Sequence, residues 1–60
     1  MNEINRIKQI AQKESKAHPR LANDILESAR LVLGEIADGE SAHHELELFE
    51  NHVQELKEGS

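Results

Sequence analysis

Three of the four histidines lie among glutamates in residues 41–53, which read SAHHELELFENHV. His43 and Glu47 are four residues apart, so on a helix they project from neighbouring turns of one face, as a pair of metal ligands must. Glu40 and His44 add further oxygen and nitrogen donors. A dedicated site also needs a second ligand pair fixed on another element, and the rest of the chain offers one histidine and scattered acids. We therefore predict surface histidines, with no metal and no cofactor.

The acids of the same region are poor candidates for catalysis. Seven acids follow from Asp38 onward, and a pair of them could have a raised pKa, but a small, exposed helix provides no pocket to desolvate them. The chain has no cysteine nucleophile, no Gly-rich phosphate loop and no serine set beside a histidine and an orienting acid. Glu40 and Glu45 also suit a helix N-terminus, where negative charge is favourable. We predict that the protein is not an enzyme and that these glutamates are solvated.

Length and composition limit how the chain can be stabilised. A chain of 60 residues buries only about 60% of the surface that its unfolded form exposes, so its own core is small. Without cysteine, neither disulfides nor thiolate zinc sites can supplement that core. Association with another chain is the remaining source of stability. The longest apolar run is residues 31–33, which predicts a soluble, cytoplasmic protein without a signal peptide or a membrane segment.

Apolar spacing and helix-breaking residues predict three helices, over residues 1–17, 19–37 and 41–58. The first has an apolar stripe formed by Ile4, Ile7, Ile10 and Ala11. The dipeptide His18-Pro19 ends it, because proline disfavours helical dihedrals at the preceding residue and fits the first turn of a new helix.

The second and third helices each have a heptad-like apolar stripe. Gly34 is the weak point of the second, which could end there or continue to Ala37. The sequence Asp38-Gly39-Glu40-Ser41 predicts a tight connection, with Gly39 closing one helix and Ser41 capping the next. A connection this short predicts an antiparallel hairpin.

The resulting fold prediction is an all-α chain whose helical hairpin dimerises into a four-helix-type bundle, because the second helix has more apolar surface than one partner helix covers. The first helix either packs on this bundle or is a mobile arm. In design, though not in residues, the arrangement resembles small plasmid- and phage-encoded helical-hairpin dimers that act as regulators. The predicted core or dimer residues are Ile25, Leu26, Ala29, Val32, Leu33, Ile36, Leu46, Phe49, Val53 and Leu56.

Charge is distributed unevenly along the chain. The net charge is −5, but residues 1–20 sum to +3 and residues 38–60 to −6. Arg6, Lys13 and Lys16 share the face of the first helix opposite its apolar stripe, and Arg20 follows the break. This basic face is either a solvated surface, a surface that lies against the acidic third helix, or a contact for an anionic partner.

A helix-turn-helix DNA reader is disfavoured, because its recognition helix would be the third one, which is acidic up to Lys57. An acidic helix that mimics nucleic acid and blocks the basic groove of another protein agrees better with the sign of this charge than a DNA reader does. Ordinary solvated glutamates explain the charge equally well. We predict a small non-enzymatic regulatory or adaptor protein that forms a homodimer and acts by helix-mediated protein binding. The alternative is nucleic-acid binding through Arg6, Lys13, Lys16 and Arg20.

Overall fold

The computed structural model of the chain describes residues 2–59, which are all-helical with no strand, as predicted. Its helices are α1 (Glu3–Ala17), α2 (Ala22–Ala37) and α3 (Ala42–Glu58), and a 3₁₀ turn, Pro19–Leu21, separates α1 from α2. Met1, which the sequence analysis includes in the first helix, and Ser60 lie outside the described residues.

The break between α1 and α2 is longer than predicted. The backbone N–H of His18 donates to Glu14 O at 2.8 Å and closes α1. Pro19 then begins one 3₁₀ turn, and the α-helix starts only at Ala22. Short 3₁₀ segments are common where an α-helix begins, and proline suits their first position because it has no N–H to satisfy.

The hairpin turn forms from the residues that the sequence indicates. α2 continues through Gly34 to Ala37, and Gly39 then takes a left-handed φ of 106°. Gly39 N–H donates to Ile36 O and Glu40 N–H to Glu35 O, each at 3.0 Å, which is the Schellman pattern. The Ser41 hydroxyl accepts from His44 N–H at 3.3 Å and caps α3.

The core of the described chain contains side chains from all three helices. α1 packs against both α2 and α3, so over residues 2–59 it is a packed helix rather than an arm. Among the predicted core or dimer residues, Leu33, Ile36, Leu46 and Leu56 are half-buried against this core, and Leu26 is 40% exposed. The buried apolar residues are Ile7, Ala11, Ile25, Ala29, Val32, Phe49 and Val53.

The ion pair between α1 and α3 has its acid on α1 and its base on α3. This is the reverse of the arrangement considered for the basic face, in which cations of α1 would meet acids of α3. Glu14 of α1 accepts from Lys57 of α3 at 3.3 Å. No ion pair among residues 2–59 includes Arg6, Lys13, Lys16 or Arg20, and all four are exposed. The basic face of α1 is therefore exposed and forms no ion pair with the glutamates of α3 within residues 2–59, although Arg6 borders a depression between α1 and α3 that Glu50 also lines.

Candidate functional site: a groove between the second and third helices

A groove runs between α2 and α3 and has a volume of about 470 Å³. Leu31 is 63% exposed and Leu48 46% exposed, although both are large apolar residues. The apolar lining consists of Leu31, Val32, Leu48 and Leu56.

The polar lining of this groove is acidic. Asp24, Glu27 and Glu35 come from α2, and Ser28 and His52 complete the set. Carboxylates beside a nonpolar surface produce a stronger field than the same charges in open solvent. The groove therefore combines apolar side chains with a negative potential, which suits a partner that carries both apolar and basic groups.

Glu45 lies close to this groove, and the expectation that it would be solvated is wrong. This residue is 2% exposed, and its Oε1 has no hydrogen-bond partner among residues 2–59. Burial raises the pKa of its carboxyl group, and the neighbouring carboxylate of Glu35 raises the pKa further. The position of Glu45 in the first turn of α3, where negative charge is favourable, therefore does not keep its side chain in solvent.

A signal for Glu45 was present in the sequence. Residues four apart on a helix lie on the same face, and Glu45 is four residues before Phe49, the fully buried centre of the α3 stripe. Helical spacing therefore places Glu45 at the edge of the apolar stripe, close enough to Phe49 to be buried with it. The polarity of Glu45 predicts exposure, whereas its position is compatible with burial.

The histidine segment remains on the surface. His43 Nε2 and Glu47 Oε1 are 3.9 Å apart, and their side chains are 75% and 63% exposed. His44 and His52 are exposed as well. Within residues 2–59 no three His, Cys, Asp or Glu side chains are arranged to hold a metal ion.

The basic face predicted as a partner-binding site is accessible to solvent. Arg6 and Lys13 border a small surface depression with Gln9, Ile10 and Glu14. Lys16 and Arg20 are exposed farther along the chain. This surface contains no exposed large apolar side chain, since those of the described residues belong to α2 and α3.

No family model matches the chain, and neither does any curated protein or solved structure. Over residues 2–59, none of the helices combines the length and apolarity that crossing a membrane requires.

Proposed function

We propose that the chain is a small non-enzymatic regulatory or adaptor module that binds another protein through the groove between α2 and α3. The observation that supports this proposal is the exposure of Leu31 and Leu48 across one groove. Apolar side chains gathered in a groove with a polar rim are typical of protein-binding surfaces. Complete burial of a leucine side chain contributes about 1.5–3 kcal/mol, so two such residues would supply much of the affinity of a transient complex.

The test begins with a partner captured from a native lysate, identified and purified. Its affinity is then measured for the wild type, Leu31→Ser and Leu48→Ser. We expect each change to weaken binding about tenfold, because it removes a contact of roughly 1.4 kcal/mol or more.

Leu26→Ser is the control for removing an exposed leucine, and it is measured at a concentration where sedimentation shows the same oligomeric state for all variants. Leu26 is also an exposed leucine of α2, at 40%, but it does not line this groove. Circular dichroism would verify that all three variants fold. Affinity that is unchanged in Leu31→Ser and Leu48→Ser, or equally reduced in Leu26→Ser, would exclude the groove as the binding surface.

Nucleic-acid binding through α1 is the second candidate. It is favoured by the exposure of Arg6, Lys13, Lys16 and Arg20 and by the absence of ion pairs to them within residues 2–59. Exposed cations along one helix face can follow a phosphate backbone. The net charge of −5 opposes such binding at long range.

Self-association is a further part of the proposal, and it concerns a different surface. Leu26 and Leu33, the predicted excess of apolar surface on α2, border a depression between α1 and α2 with Ala29. Because α1 already covers one side of the hairpin, a dimer would join two three-helix units at this surface. Sedimentation and a melting temperature that rises with concentration would reveal it, whereas a stable monomer at micromolar concentration would exclude it.

A further inference from the structure

The charges around the groove limit what can occupy it. Its three acids, Asp24, Glu27 and Glu35, all come from one helix, and none of the lysines and arginines within residues 2–59 lines it. The nearest cation on α2 is Arg30, which lines the adjoining depression with Glu27 and Leu31. A protein partner that places Lys or Arg beside these carboxylates gains favourable electrostatic energy, and an acidic partner is repelled. The occupant should therefore be basic where it meets the rim.

A symmetric pairing of two copies does not suit the groove. In a twofold-symmetric dimer a surface meets itself, so the acids of one groove would face the same acids of the other. The basic face of α1 has no exposed large apolar side chain, since those of the described residues are Leu26, Leu31 and Leu48. The surface around Leu26 also contains Lys8 and Arg30, so a head-to-tail contact between copies is the competing outcome, and sedimentation of the protein alone would reveal it. The proposed occupant is a different protein.

The shape of the groove favours a helix as its occupant. The groove lies between two antiparallel helices and offers no strand edge to which an extended peptide could add. Its α2 wall extends from Asp24 to Glu35, which corresponds to about 16 Å along the helix axis. That length accommodates about three turns of a guest helix, with apolar residues at i, i+4 and i+7 against Leu31 and Leu48.

We infer that the groove between α2 and α3 binds one amphipathic helix of another protein, with leucine-sized side chains on its inner face and Lys or Arg on its flanks. This inference rests on the proposed function and specifies its partner. The apolar contacts provide affinity, and the rim acids select for the positive flanks.

Synthetic peptides of about 18 residues, long enough for measurable helicity, provide the test. The first has leucines at i, i+4, i+7 and i+11 and lysines on the flanks. The second replaces the lysines with glutamates, and the third keeps the lysines but scatters the leucines around the helix. Fluorescence anisotropy gives the affinities, and amide NMR shifts of the labelled protein locate the binding surface.

We expect the first peptide to bind about tenfold more tightly than the second at low salt, and this preference to shrink at high salt. The third should bind more weakly than the first. The NMR shifts should concentrate around Leu31 and Leu48. Equal affinity for the first two peptides, equal affinity for the first and third, or shifts on another face would overturn the inference.

A pair of double variants separates the rim acids from the overall charge. Asp24→Asn with Glu27→Gln should reduce the preference for lysine flanks. Glu47→Gln with Glu50→Gln removes two exposed acids that do not line the groove, and should leave the preference unchanged. If both double variants lose the preference for the lysine-flanked peptide, that preference arises from the net charge of the protein and not from the acids at the rim of the groove.

The two proposals can fail separately. If Leu31→Ser weakens binding of a captured partner but the lysine-flanked peptide does not bind, the groove binds protein of another kind and only this inference fails. If Leu31→Ser also leaves the binding of the captured partner unchanged, and the lysine-flanked peptide does not bind, the proposed function fails as well.

Discussion

The carboxyl group of Glu45 lies beside that of Glu35, where the first turn of α3 meets the last turns of α2. The Glu45 side chain is 2% exposed, so little water remains to solvate its negative charge. Burial contributes most to the raised pKa of Glu45, Glu35 and Glu40 add to it by repulsion, and His44 acts in the opposite direction. Protonation of one carboxyl relieves this repulsion and allows it to donate to the other.

The first prediction concerns pH and stability. Because the folded-state pKa of Glu45 lies above its unfolded value, the folded chain binds more protons between the two values. The contribution of Glu45 to the free energy of unfolding should therefore fall as pH rises through the folded-state pKa. Glu45→Gln removes the charge, so we expect it to stabilise the fold at neutral pH and to lose this advantage towards pH 4.

Urea unfolding of the wild type and Glu45→Gln across this pH range measures the effect. Glu50→Gln is the control, because Glu50 is an exposed acid of the same helix. The stability of the Glu50→Gln variant should depend on pH in the same way as that of the wild type. Parallel curves for wild type and Glu45→Gln would show that folding does not change the pKa of Glu45, and would contradict the prediction.

The second prediction concerns Phe49, which is fully buried against Ile7, Ile25 and Val53 in the core cluster. Removing a buried phenylalanine side chain costs about 3–5 kcal/mol, which is most of the stability of a domain this small. We expect Phe49→Ala to be largely unfolded by circular dichroism. Leu48→Ala, next to it but partly exposed, should cost less than about half as much.

The three-helix design was predictable because its signals are local. The apolar stripes, the break at His18-Pro19 and the turn around Gly39 each depend on residues within one or two helical turns. The same reasoning identified most of the core, including Ile25, Phe49 and Val53.

The candidate site was less predictable because it depends on how the helices pack. A stripe shows which face of α2 is apolar, but not which part of that face α1 covers. Leu31 does not follow the heptad spacing of the α2 stripe, and its place beside Leu48 in one groove depends on how α2 packs against α3. The ion pair between Glu14 of α1 and Lys57 of α3 was likewise not predictable, because it depends on which edge of α1 meets α3.

The third prediction concerns two glycines with different backbone conformations. Gly34 lies within α2, and a methyl group added there would meet no atom within 4 Å. Gly34→Ala should stabilise the protein by about 0.5–1 kcal/mol, because alanine loses less backbone entropy in a helix. Gly39→Ala should instead destabilise it, since Gly39 has a φ of 106°. Thermal unfolding compares the two, and a destabilising Gly34→Ala would contradict the continuous α2.

The fourth prediction concerns the basic face of α1, represented by Arg6, Lys13 and Lys16. These cations have no ion pairs within residues 2–59, so replacing all three with glutamine should change the free energy of unfolding by no more than about 0.5 kcal/mol per site. Glu14→Gln, which removes the acid paired with Lys57 at 3.3 Å, should cost up to about 1 kcal/mol, and high salt should reproduce that loss.

The same triple variant separates the two candidate functions. If protein binding is the function, mobility shifts of DNA and RNA should be weak or absent for the wild type at physiological salt, because the net charge of −5 opposes association with a polyanion. Tight binding that decreases steeply with salt and disappears in the triple variant, with its fold intact, would instead identify α1 as a nucleic-acid contact. In that case the groove would be the secondary surface, and Leu31→Ser would leave the binding of nucleic acid unchanged.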